Sequence, residues 1–255
     1  MTKIIALFNQ AGGVGKSTLT QNLGYHLRQQ NHKVLLVDLD PQASLTTFMG
    51  LEPEGLSVTI AEPLLDEDGE VTPVPIHRDL NSLDLVPANI NLSGVELALV
   101  NADMRDLRLK DVLEPIKADY NFILIDCPPS LGLLSYISLV AATHILVPIQ
   151  CQFKAFAGTN LLIKTVARVK RRPNRTLAIA GFVPTLYDQR RSQDERTLAA
   201  IQERFSEIAP IYPPIPWSTS FADAAEARLP LALYDKHHKA VAVLNQISQA
   251  ISLLP

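Results

Sequence analysis

Between an apolar run over residues 3–8 and an amphipathic stretch over 16–30 lies Asn9-Gln10-Ala11-Gly12-Gly13-Val14-Gly15-Lys16-Ser17-Thr18. Glycine curls the backbone tightly at little steric cost, so Gly12, Gly13 and Gly15 leave the loop N–H groups, Val14's included, open to a ligand. A helix N-terminus favours anions, and this loop feeds one. The pattern reads as a phosphate cradle in which Lys16 reaches β- and γ-phosphates, Ser17 offers a hydroxyl to Mg2+ and Thr18 follows on the helix. The bland alternative is a Gly-rich turn that only caps a helix. The general pattern G-x-x-x-x-G-K-[ST] is not fully met, because Gln10 stands at its first glycine.

The rest of the chain alternates short apolar runs with amphipathic stretches, the signature of a mostly parallel sheet with helices on both faces. The spacing predicts strands over 3–8, 33–38, 83–86, 121–126, 144–148, 177–183 and, briefly, 210–215. It predicts helices over 16–30, 158–170, 194–205 and 239–254, and a broken helical stretch over 93–117 with 107–115 as its second piece. The acidic run at 66–70 reads as a surface loop near a sheet edge. One α/β domain over 1–255 accounts for all of it.

Composition narrows the classes. The net charge of −3 creates no global field for nucleic acid, so such contact must come from a local patch. Cys127 and Cys151 form no C-x-x-C pair, which suits a reduced, cytoplasmic compartment and argues against iron–sulfur chemistry. No apolar stretch approaches 18 residues, so no membrane span is expected.

Asp38 and Asp40 follow one buried strand and Asp126 ends another, which in a parallel sheet brings all three to the rim that carries the loop. A carboxylate there can hold Mg2+ through water beside Ser17, and Pro128 and Pro129 stiffen the segment after Asp126. On spacing alone, Asp40 before Pro41 also suits an ordinary turn.

The loop resembles the deviant phosphate loop of ParA/MinD-type ATPases, N-Q-K-G-G-V-G-K-[ST]-T in the ParA branch. The likeness runs on through VLLVDLDPQAS (34–44), FILIDCPPSLG (122–132), ILVPIQCQFKAFAGTNLL (145–162), YDQR (187–190) and Ile215-Pro216, so it covers nearly the whole chain in order. It implies a P-loop NTPase fold, ATP and Mg2+ as cofactors, and hydrolysis to ADP and phosphate. Asp40 is then expected to orient the attacking water, Asp38 and Asp126 to support Mg2+ with Ser17, and Pro216 to wall the adenine. One departure stands out: the family's signature lysine, which reaches the partner's nucleotide in a sandwich homodimer, is Ala11 here. Lys154, just past a strand at the same rim, is the candidate replacement, with a solvated surface lysine as the alternative. Lacking the loop lysine is similar to the carboxysome-positioning branch of the family, with plasmid or chromosome partition as the other reading. A metabolic P-loop enzyme of related fold is the competitor from a different class.

Lys164, Arg168, Lys170, Arg171, Arg172 and Arg175 crowd one stretch with no acidic residue among them. Such clusters bind nucleic-acid phosphates without reading sequence, although cations also simply favour helix C-termini. With the resemblance, the cluster points to nonspecific, nucleoid-type DNA, to an ATP-dependent homodimer and to an adaptor protein linking it to cargo. The last segment, AVAVLNQISQAISLLP, carries no Lys or Arg, so it reads as a packed helix and not as a membrane anchor.

Overall fold

A computed structural model describes residues 1–66 and 73–255; the side chains of 153–157 and 160 also lie outside the described residues. The acidic loop expected over 66–70 is therefore outside the description apart from Asp66. Along the chain the strands are β1 (Lys3–Leu7), β2 (Val34–Asp38), β3 (His77–Leu80), β4 (Leu83–Val86), β5 (Phe122–Asp126), β6 (His144–Gln150) and β7 (Ala178–Thr185). The helices are α1 (Lys16–Gln29), α2 (Ser44–Phe48), α3 (Ala61–Leu65), α4 (Leu92–Ala98), α5 (Arg108–Leu113) and α6 (Leu133–Ala141). They continue with α7 (Phe153–Arg171), α8 (Ser192–Phe205), α9 (Ser220–Glu226), α10 (Leu231–Tyr234) and α11 (Lys239–Ser252).

The seven strands form one sheet in the order β3-β4-β2-β5-β1-β6-β7, parallel throughout except for β3. Side chains alternate across a strand, and both faces of β1 are apolar. Ile5 and Leu7 face a core shared with α1 and α11; Ile4 and Ala6 face the core under α4 to α8. Burial on both faces is why β2 and β5 read as unbroken apolar runs, and every residue of each is buried.

The expected strand over 210–215 does not form. Pro210, Pro213, Pro214 and Pro216 remove the donors a ladder needs, and only isolated bridges join Phe182 to Ile211 and Tyr187 to Pro216. The helix expected from 158 begins at Phe153, and the 93–117 stretch breaks into α4, two single 3-10 turns and α5. The short helices α2, α3, α9 and α10, like the longer α6, carry too little periodicity in their flanking sequence to be separated from the runs beside them.

The proline-rich segment nevertheless hugs β7. Phe182 N–H donates to Pro210 O at 2.9 Å, and Tyr212 N–H donates to Phe182 O at 2.8 Å. Gly181 permits this approach: a Cβ there would stand 2.8 Å from the Pro210 carbonyl oxygen and inside the Tyr212 ring, and its φ is +153°. Gly181→Ala is expected to destabilise the protein by about 2–3 kcal/mol, lowering Tm by roughly 5–10 °C in a calorimetric scan. An unchanged Tm would show that the segment can lift off without cost.

Candidate functional site

The loop from Asn9 to Gly15 curls at the C-terminal end of β1 and hands over directly to α1. Gly13 and Gly15 take positive φ, +70° and +87°, a conformation few side chains tolerate. Side chains from across the fold hold the curl. Asn9 donates to Pro148 O at 2.6 Å and accepts from Ala11 N–H at 2.9 Å. Gln10 donates to Gly158 O of α7 at 2.8 Å, and Thr185 at the end of β7 donates to Val14 O at 2.9 Å. The Lys16 ammonium is buried and donates to Asn9 O at 3.0 Å and Ala11 O at 2.9 Å, so it lies inside the curl.

Parallel pairing delivers the carboxylates to the same rim. Asp38 and Asp126 are register partners at the ends of β2 and β5, and Asp126 is also opposite Leu7 of β1. Burial pushes Asp38 up to about 6 despite hydrogen bonds from Thr46 and from the Asp40 N–H. Burial, with Asp38 as a like charge beside it, holds Asp126 well above the usual carboxylate range, opposed by Ser17 and Lys16. Burial lowers the Lys16 ammonium, which Asp126 and Asp40 counteract. Asp40 is also raised by burial; its Oδ1 accepts from Gln42 N–H at 3.0 Å.

The two strand-end carboxylates differ in one respect that matters. Asp38 accepts from Thr46 N–H at 2.8 Å, Thr46 Oγ1 at 2.7 Å and Asp40 N–H at 3.1 Å. Asp126 has Ser17 near enough to oppose its shift, yet neither of its buried oxygens meets a donor in hydrogen-bonding geometry. A buried carboxylate left in this condition beside a serine hydroxyl is a donor set that a hard divalent cation completes. Among the described residues no three His, Cys, Asp or Glu side chains could hold a metal by themselves.

Beyond β7, a cavity of about 300 Å³ is lined by Tyr187, Asp188, Pro214, Pro216 and Trp217, among others. Tyr187 N–H donates to Ile215 O at 3.0 Å, and Thr185, two residues before Tyr187, is the residue bonded to the phosphate loop. Lys154, the candidate replacement cation, has its side chain outside the described residues.

The basic cluster lies elsewhere. The α7 helix leaves the nucleotide-side rim after β6 and, over 19 residues, returns to the opposite rim, a span of about 28 Å. Lys164, Arg168, Lys170, Arg171, Arg172 and Arg175 are all exposed there, and among the described residues none makes an ion pair. Arg172 has left the helix, so the cluster is a helix face continued by a turn. Arg168 stacks over Tyr136 with 6.0 Å to the ring centre. By contrast, Arg190 and Arg191 are engaged by Asp188 at 3.0 and 3.5 Å.

Sequence reasoning missed Thr46, Thr185 and the side-chain role of Asn9. Thr46 and Thr185 are ordinary threonines in sequence, and only the packing of separate strands gives them their partners.

The raised Asp38 carboxyl has a definite linkage. Its folded pKa of about 6 exceeds its ordinary 3.8, so the native state binds the proton more tightly. Its contribution to stability is present below the unfolded value and is lost as pH rises through about 6. In ligand-free protein, the Tm of Asp38→Asn relative to wild type is expected to climb with pH across that window and level off above it. A difference independent of pH would show that Asp38 stays ionised throughout.

The comparisons with known proteins agree with this geometry. Residues 2–179 match the family model described as an AAA domain. The chain is 37% identical to the chromosome partitioning protein ParA of Caulobacter vibrioides over 236 residues, 91% of this chain and 87% of that one. Among solved structures, cobyrinic acid a,c-diamide synthase from Mycobacterium smegmatis, with bound ATP analog and magnesium, superposes with a TM-score of 0.87 at 34% identity. That match covers 98% of this chain and 94% of the other. The Cyanothece apo McdA structure superposes with a TM-score of 0.85 at 25% identity, covering 97% and 99%. Among the described residues no helix is long and apolar enough to cross a membrane. With the phosphate-loop geometry, the parallel sheet and these relatives in agreement, the chain belongs to the ParA/MinD-type P-loop ATPases.

Proposed function

We propose that the chain is an ATP-driven, dimerising switch that binds DNA without sequence preference and positions or segregates a cargo. The observation that carries this reading is the basic end of α7: six exposed cations free of ion pairs among the described residues, four on the helix that Gln10 of the phosphate loop touches nearer its start and two on the turn that follows it.

In this reading Gly12 to Thr18 hold the phosphates through backbone N–H groups, with the Lys16 ammonium turning from the loop carbonyls to phosphate oxygens. Ser17 and Asp126 would hold Mg2+, the latter through water, and Asp38 supports that corner from behind while bonded to Thr46. Bound Mg2+ neutralises charge on the phosphates. Asp40 is 8% exposed at the mouth of the cluster and orients the attacking water. The cavity at Pro216 and Tyr187 takes the adenine.

Ala11 has no charge to offer a partner's nucleotide, so Lys154, at the start of α7, is assigned that task on its chain position. The homodimer draws further support from Ile90, Leu97, Val100 and Met104, large apolar residues 50–78% exposed in the segment after β4. Doubling the basic patch makes DNA binding depend on ATP. Among cargoes, the missing loop lysine favours carboxysomes, with an adaptor protein as the link; the ParA relatives favour chromosome or plasmid partition. Both place the protein on the nucleoid in the cytoplasm. A metabolic enzyme is the second reading, favoured by the likeness to cobyrinic acid a,c-diamide synthase from M. smegmatis.

Phosphate release without any small-molecule substrate, stimulated by DNA, separates the two. Lys16→Ala is expected to abolish binding of a fluorescent ATP analogue, whereas Asp40→Ala keeps binding and slows turnover by at least about tenfold. Unchanged hydrolysis in Asp40→Ala would move the water-orienting role elsewhere.

Binding to a nonspecific duplex, measured with ATP, with ADP and without nucleotide, tests the DNA reading. ATP alone should promote it, and Lys154→Ala should remove that dependence. Arg168→Ala with Arg171→Ala should weaken binding and flatten the salt dependence by roughly 1–2 in the log–log slope. A wild type indifferent to DNA in every nucleotide state would leave the basic cluster as solvated surface.

A further inference from the structure

Thr46 is fully buried on α2, and its hydroxyl does not make the local bond usual for a helical threonine. Its neighbour Thr47 donates back to Ala43 O at 3.0 Å, and Thr20 donates to Lys16 O at 3.0 Å, each four residues earlier. Thr46 instead donates to Asp38 Oδ2 at 2.7 Å and accepts from Ala88 N–H at 3.0 Å, while its own N–H donates to the same Asp38 oxygen at 2.8 Å. A hydroxyl has one hydrogen, so this donor–acceptor relay has a single direction: Ala88 N–H to Thr46 to Asp38. It joins the ends of β2 and β4 through a residue that belongs to neither.

Valine would fill the same volume and lose both hydroxyl bonds. The Ala88 N–H would then be buried without an acceptor, and Asp38 would keep only two backbone donors. The carboxylate would be freed to turn toward Asp126, its register partner.

We propose that Thr46 is a positioning residue for ATP hydrolysis, acting through Asp38 and not by touching nucleotide. The inference rests on the ATPase site described under the proposed function. Thr46 fixes which way the Asp38 carboxylate faces and ties that orientation to the segment that begins at Ala88.

The test compares wild type, Thr46→Val, Thr46→Ser and Asp38→Ala in phosphate release over a range of ATP at fixed Mg2+. Affinity for a fluorescent ATP analogue and Tm are measured in parallel. Thr46→Val is expected to lower kcat about tenfold, with KM and analogue affinity within about twofold of wild type. Thr46→Ser, which keeps the hydroxyl, should restore kcat to within about twofold, and Asp38→Ala should lower kcat at least as far as the valine variant.

Wild-type kcat in Thr46→Val overturns the proposal, as does a serine variant as slow as valine. A parallel fall in kcat and analogue affinity would make Thr46 a packing residue only. Wild-type kcat in Asp38→Ala would leave Thr46 nothing to position. Wild type that releases no phosphate at all would strike the ATPase reading itself, a failure distinct from all of these.

Discussion

At the C-terminal rim of the sheet, two buried carboxylates sit side by side in register, with a third close by and one buried ammonium among them. Burial raises the pKa of both strand-end carboxylates, and like charges add to it: Asp40 beside Asp38, and Asp38 and Asp40 beside Asp126. The fold concentrates negative charge where phosphates, themselves anions, are expected to arrive. Cations relieve that conflict, and the buried Lys16 ammonium, bonded to the loop carbonyls of Asn9 and Ala11, is the one the chain itself places there among the described residues.

The surrounding structure keeps these groups in place from several directions. The phosphate loop is tied to β6 through Asn9, to α7 through Gln10 and to β7 through Thr185. Asp38 is tied to α2 and to the end of β4 through Thr46. The far side of the loop after β5 is held by Glu96 of α4, which accepts from Leu134 N–H at the start of α6 at 3.4 Å. The Gln10 bond thus joins the phosphate loop to α7, whose far end lies at the basic rim about 28 Å away.

Much of this was legible in the chain. The unbroken apolar runs at 34–38 and 122–126 read as strands buried on both faces, and the glycines before Lys16 as a phosphate loop opening a helix, with a plain capping turn as the alternative. Placing Asp38, Asp40 and Asp126 at one rim followed from parallel pairing, and the register bears it out. The proline-rich stretch at 210–216 misled, because its apolar composition suits a strand while its missing N–H groups prevent one.

The sequence by itself determined the α/β class, the phosphate loop and the identity of the charged groups, because each is a local pattern of residue types at short spacing. Tertiary structure decided what those groups experience. It left both Asp126 oxygens without a donor in hydrogen-bonding geometry among the described residues while giving Asp38 three, and it opened a cavity among the 187–190 turn, the 214–217 segment and α11. It also moved the basic cluster to the rim opposite the loop. Burial and hydrogen-bond partners depend on which distant segments meet, and no short-range pattern encodes that meeting.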